Sequence, residues 1–140
     1  MIFLDTNILV TATQLTHPHN LQSRALLTRT IESETIIAAH TLAEVYSSLT
    51  SIRPPERVSP KVALQALEAY LLRMTPITLT ADECLRAIRD AADKGLVGGM
   101  IYDALLLACA RKSQAGSIYT WNIKHFQAIA PDLADRIMTP

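Results

Sequence analysis

Apolar residues along this chain gather in short runs, and the longer stretches between them repeat their apolar positions every three or four residues. Ile2–Leu4, Thr35–Ala38 (TIIA), Ile77–Leu79 and Ser117–Thr120 read as short buried strands, and Arg136–Thr139 as a last one. Helical periodicity follows the first strand and returns over Asn20–Ile31 and Thr41–Leu49. Ser59-Pro60 is a helix opening, with Ser as the cap and Pro at the first helical position, and that helix extends to Arg73. Thr80-Ala81-Asp82-Glu83 has the spacing of a capping box and starts a helix ending near Lys94. Gly95, Gly98 and Gly99 mark a loop, after which Ile101–Lys112 and Ile123–Ile129 are helical. The stretch Ala104–Ala110 (ALLLACA) is apolar on every side, which predicts a buried packing helix. Strands alternating with helices predict an α/β fold, a parallel sheet covered on both faces. Two prolines in Ser51-Ile52-Arg53-Pro54-Pro55 break helix continuation, but the flanking segments are too few to fold separately, so a single domain is expected.

Composition narrows the classes of function. Of 140 residues, 49% are hydrophobic and 19% charged, as in a compact core rather than a disordered chain. Thirteen basic residues balance thirteen acidic ones, so no global field steers the protein toward nucleic acid or membrane, although local segregation of charge is still open. Cys84 and Cys109 lack CxxC spacing and read as small buried apolar residues of a reducing compartment. No basic-then-apolar leader and no membrane-length apolar run is seen, and the expectation is a soluble cytoplasmic protein.

Four polar positions stand out against this apolar frame. Asp5 closes the first strand in MIFLDTNILV, where it can cap the next helix or sit at the carboxyl edge of the sheet, the usual place for α/β sites. Glu44 in TLAEVYSSL points away from the face shared by Leu42, Val45, Tyr46 and Leu49, among the small hydroxyls of Ser47, Ser48 and Ser51. Asp103 is the only charge at the mouth of the apolar helix. It suits the helix dipole, yet is costly there if unpaired. Asn122 follows the fourth strand as Asp5 follows the first, again as a cap or as a neutral oxygen donor. If the strand ends converge, three carboxylates meet in one crevice, and they must take up protons or a hard cation. Oxygen-only ligands favour Mg²⁺ or Mn²⁺ over Zn²⁺.

With the stretches MIFLDTNIL, TLAEVYSSL, YDALLLACA and TWNIKHF in this order, essentially the whole chain resembles a PIN-domain ribonuclease of the VapC toxin type. The resemblance implies a three-layer sandwich, with a parallel sheet of four to five short strands between helices, as one domain over residues 1–140. It implies Mg²⁺- or Mn²⁺-dependent endonucleolytic cleavage of RNA, with Asp5, Glu44 and Asp103 as metal ligands and Asn122 as the fourth catalytic position. Many relatives carry Asp at that fourth position. Thr6 and Thr120 are implied as supporting hydroxyls. The implied partners are RNA, a cognate antitoxin and a second copy of the chain in a homodimer; no membrane is involved.

For substrate contact the basic residues Arg24, Arg29, Arg111, Lys112, Lys124 and His125 are available to meet phosphates, or are simply solvated. Trp121 can stack on an unpaired base or belong to the core. His17-Pro18-His19 reads as a polar loop. A rival reading keeps the PIN scaffold as an RNA- or protein-binding regulatory module, with Asn122 marking weakened catalysis. A haloacid-dehalogenase-like phosphatase fits poorly, because Thr6-Asn7 follow Asp5 where that family needs a second Asp.

Overall fold

The computed structural model describes residues Met1 to Pro140. Strand β1 (Ile2–Leu4) leads into α1 (Thr6–Thr13) and α2 (Asn20–Arg29), then β2 (Thr35–Ala38), α3 (Thr41–Ser51) and α4 (Pro60–Leu71). Strand β3 (Met74–Ile77), α5 (Ala81–Asp93), α6 (Met100–Ser113) and β4 (Ser117–Tyr119) follow. The chain ends with α7 (Ile123–Ile129), a 3₁₀ turn (Pro131–Arg136) and β5 (Ile137–Met138).

The five strands pair in parallel in the order β3-β2-β1-β4-β5. The chain moves outward from β1 through β2 to β3, then returns to lay β4 on the other side of β1. The order therefore reverses between β1 and β4, which leaves a crevice beyond their carboxyl ends.

Helices cover both faces, and the pleat shows in the sheet itself. Phe3, Ile36, Ala38 and Ile118 enter a core with α6 and α7, whereas Leu4, Ile37 and Met74 enter another with α1 to α4. Neighbours in sequence thus face opposite cores, so the inner strands β1 and β2 are covered on both sides and read as nearly continuous apolar runs. The expected α/β architecture is present. Helix α6 lies in the first core through Leu106, Leu107, Cys109 and Ala110.

The structure corrects the expected elements in several places. The third strand is Met74–Ile77, not Ile77–Leu79. It runs through Pro76, which has no amide hydrogen to donate; β3 is an edge strand, where a missing donor is tolerated. The second helix ends at Arg29 instead of Ile31, and the last strand spans only Ile137–Met138, after a 3₁₀ turn that the periodicity does not reveal. Tyr46 is 39% exposed rather than packed with Val45 and Leu49.

The sequence caps form as expected. Ser59 Oγ accepts from the Val62 amide, and Thr80 and Glu83 exchange both bonds of a capping box. Helix α6 ends differently, on Gln114 at φ 57°, a left-handed conformation that disfavours a side chain. Gln114→Gly is expected to stabilise the protein by roughly 0.5–1 kcal/mol, since the relief of left-handed strain exceeds the entropy that glycine adds to the unfolded chain. A urea titration of both proteins measures it.

Candidate active site at the carboxyl edge of the sheet

Asp5 occupies the cap position of α1, but its side chain makes no capping hydrogen bond. The carboxylate turns to the neighbouring strand end, where Oδ2 accepts from Thr120 Oγ1 at 2.6 Å. Asn122 repeats this behaviour at α7, also in the cap position and also without a side-chain cap bond. Capping therefore explains neither residue.

Asp5, Thr6, Asn7, Glu44, Asp103 and Asn122 line one cleft of about 230 Å³, with Val10, Ser48 and Leu106 completing its wall. Each acid arrives from a different element. β1 delivers Asp5, the first turn of α3 Glu44, and the first turn of α6 Asp103. One oxygen of each is held by a neighbour. Thr120 donates to Asp5, Thr6 donates to Glu44 Oε2, and His125 Nδ1 lies 2.9 Å from Asp103 Oδ2. Asp103 is therefore not the unpaired charge that its place in the sequence suggests.

Hydroxyls and an amide knit these contacts together. Thr6 Oγ1 also reaches Thr41 Oγ1 at 3.2 Å. Thr120 Oγ1 accepts from Asn7 Nδ2 at 3.2 Å and from the Asn122 amide at 2.9 Å. Asn7 in turn accepts the Trp121 amide on Oδ1 at 3.2 Å. One network thus ties the ends of β1 and β4 across the crevice.

Electrostatics within the cleft is unfavourable to the acids. Asp5 is 3% exposed. Burial pushes its pKa from 3.8 to about 7; the Thr120 hydroxyl and the nearby Asn7 backbone N–H oppose the rise, while Asp103 and Glu44 add to it. Burial also raises the Asp103 carboxyl, against the pull of His125 and with a further push from Glu44. Two acids held above their ordinary range by burial and mutual repulsion form a site that a cation would relieve.

The donor set fits such a cation in chemistry. It is all oxygen, hard, and anionic when ionised. The acids are not already drawn together as a ligand shell, for no group of three or more His, Cys, Asp or Glu side chains is set to hold an ion. The fit is one of type and charge.

Residues 2–130 match the family profile of the PIN domain. The chain belongs to the PIN-domain family. Over 118 residues this PIN domain is 33% identical to Ribonuclease VapC40 of Mycobacterium tuberculosis, with 82% of each chain covered. Among solved structures, VapBC2 from Rickettsia felis, bound to a DNA fragment from their promoter, superposes with a TM-score of 0.70 at 25% identity. That match covers 99% of this chain and 98% of the other. VapC20 of Mycobacterium tuberculosis, a sarcin–ricin-loop-cleaving toxin, shares the fold at a TM-score of 0.74 and 18% identity, over 91% and 95% of the two chains.

Of the basic residues of this PIN domain, His125 bonds a cleft acid, and Arg24, Arg29, Arg111, Lys112 and Lys124 line no part of the cleft. Arg111 makes a two-point ion pair with Asp132, at 2.7 and 3.0 Å. Lys112 bonds Glu83 at 2.6 Å and the Thr78 carbonyl at 2.9 Å. Both line a separate groove between α5 and α6. Arg24 and Lys124 are exposed and make no ion pair. Arg29 lies over the Tyr119 ring at 5.8 Å. Trp121 packs against the core of α1 to α4, and its Nε1 donates to Ser23 Oγ at 3.0 Å.

Asn7, in the cleft, and His125, which holds one of its acids, go beyond the sequence reading. Asn7 was legible only as part of a turn, although its place two residues after Asp5 and beside the strand end was a usable signal. His125 was visible as a basic residue, but its bond to Asp103 depends on how α7 docks against α6.

Proposed function

We propose that this PIN-domain protein is a Mg²⁺- or Mn²⁺-dependent endoribonuclease and the toxin of a toxin–antitoxin pair, with residues 1–140 acting as one catalytic domain. The observation that carries this reading is the cleft itself, where three acids from three elements and Asn122 meet at the point where the strand order reverses. Similarity to Ribonuclease VapC40 supports RNA as the substrate, and similarity to a VapBC complex supports a cognate antitoxin as partner. A homodimer in the cytoplasm completes the proposal; no helix is long and apolar enough to cross a membrane.

Asp5, Glu44 and Asp103 hold the cation in this reading. When bound, it acidifies water to make the nucleophile and offsets the charge that develops on the phosphate. The protein's own groups set the geometry. Thr120, Thr6 and His125 each fix one carboxylate oxygen, which orients the acids that would hold the ion. Asn122 contributes a neutral amide at the cleft wall, without adding a fourth negative charge beside the scissile phosphate. The apolar walls at Val10 and Leu106 limit water around the acids and strengthen their field.

The test is cleavage of a structured-RNA pool by antitoxin-free protein in Mg²⁺, Mn²⁺ or EDTA, with Asp103→Asn run in parallel. Cutting is expected only with metal, and Asp103→Asn should lower the rate at least ~100-fold, as loss of a ligand does. Equal cutting in EDTA, or by the variant, would sink the assignment.

A further inference from the structure

The His17-Pro18-His19 turn is ordered by a hydrogen bond of its own and by Trp121. The His19 amide donates to His17 Nδ1 at 3.1 Å, which shapes the turn ahead of α2. The His19 ring lies flat on Trp121, with centroids 3.8 Å apart and planes at 9°. The His17 ring stands beside it at 5.5 Å, tilted by 43°. Beneath this pair the indole has little freedom. Its Nε1 is tied to Ser23, its backbone amide to Asn7, and its body to the core.

This stack is tied to the cleft through Asn7 and Asn122, although its own rings do not line it. Asn7 lines the cleft and holds Trp121, while Asn122, the next residue in the chain, lines it as well. The charge on the helices that follow these residues in the chain points the same way. Arg24 follows the Ser23 that anchors the indole, and Lys124 lies two residues beyond Asn122; both are exposed cations without an ion pair. Arg111 and Lys112, by contrast, are committed to acids on another groove. Half-buried rings fixed before binding, with unpaired cations on α2 and α7, the helices that follow His19 and Trp121 in the chain, supply what a single nucleic-acid strand needs: π-faces for bases and positive charge for phosphates.

We propose that His19, held on Trp121 with His17 at its side, is a stacking platform for an unpaired base of the RNA strand entering the acidic cleft. The inference rests on the ribonuclease reading and deepens it, since it makes the substrate single-stranded or looped at the cut. A base within an A-form duplex has both faces covered and cannot reach the platform without being splayed out.

Trp121 is the only tryptophan in the chain, so its emission reports on the platform directly. Asp5→Asn protein in Mg²⁺ is titrated with end-labelled twelve-nucleotide strands of A, C or U, and with the A strand annealed to its U complement. Label anisotropy gives affinity, and tryptophan emission gives location. At least one single strand should bind and change the emission, with the duplex binding at least ~10-fold more weakly. Adding His19→Ala should weaken single-strand binding about 10-fold, leave duplex binding alone, and be rescued by His19→Phe.

Thermal melting of the His19 variants confirms that the fold is retained. Unchanged strand affinity in His19→Ala, equal binding of strand and duplex, or no binding of any strand overturns the platform. Metal-dependent cleavage by wild-type protein that survives His19→Ala unaltered removes the platform and leaves the ribonuclease standing. Strand-selective changes in emission, in a protein whose wild type never cuts RNA, do the reverse.

Discussion

Asp5→Asn is expected to abolish RNA cleavage and yet raise the melting temperature of the metal-free protein. The loss follows from the role proposed for Asp5 as a ligand, and should reach ~100-fold or more. The gain follows from its surroundings. Burial holds the folded-state pKa at about 7 against an ordinary 3.8. The folded protein therefore keeps a proton on Asp5 at pH values where the unfolded chain has lost it. Stability declines as pH rises from about 4 to about 7, and the penalty is complete above that range.

The size of that penalty sets the effect of the substitution. At roughly 1.4 kcal/mol for each pH unit separating the folded and unfolded pKa values, its ceiling is about 4 kcal/mol, or some 10 °C in melting temperature. Asparagine keeps an oxygen to accept the Thr120 hydroxyl and carries no charge to bury. The melting temperatures of the two proteins should therefore be close at pH 4 and diverge toward pH 8. Mg²⁺ or Mn²⁺ should close much of the gap by stabilising only the wild type, because a ligand that binds the folded state alone adds to its stability. Melting curves across this pH range, with EDTA and with metal, provide the measurement. Asp5→Asn melting below wild type at pH 8 in EDTA would refute the account.

Phe126→Ala is expected to damage both the fold and the site. Phe126 is 0% exposed in the core beneath α6, beside Ile129, Ala130 and Leu133. Removing a buried ring costs about 3–5 kcal/mol, because the cavity closes only in part. Its amide also bonds the Asn122 carbonyl at 3.0 Å, and the preceding residue is the His125 that holds Asp103. The loss should therefore appear twice, as a melting temperature lower by roughly 10 °C and as weaker metal binding at temperatures where the protein is still folded. Phe126→Leu keeps most of the volume and should recover most of both. A variant that melts like wild type would show that α7 is not anchored through this ring.

These expectations draw unequally on sequence and structure. Four of the five strands were legible at or within a residue or two of their true bounds, because a strand buried on both faces must be apolar throughout. β3 was displaced because proline argues against a strand everywhere except at an edge, and edge position belongs to the sheet as a whole. The acids were legible one at a time as charges where an apolar element begins or ends. Asp5 and Asn122 were each open to a capping explanation, which local sequence cannot dismiss. Only the observed side-chain directions remove it.

The sequence by itself determined the periodicities, and with them the alternation of strands and helices, the apolar α6, the caps at Ser59 and Thr80, and the stations of Asp5, Glu44, Asp103 and Asn122. These are local properties, fixed by which residues bury a face or start a helix within a few positions. The tertiary structure alone decided that those stations share a cleft, since this depends on the order in which parallel strands assemble. Thr120 reaches Asp5 across 115 residues, and Thr6 reaches Glu44 across 38. It also decided that Arg111 and Lys112 pair with acids elsewhere, that His125 holds Asp103, and that a turn read as merely polar lays His19 on Trp121. Contacts of that range are set by strand order and helix packing, on which no short window of sequence reports.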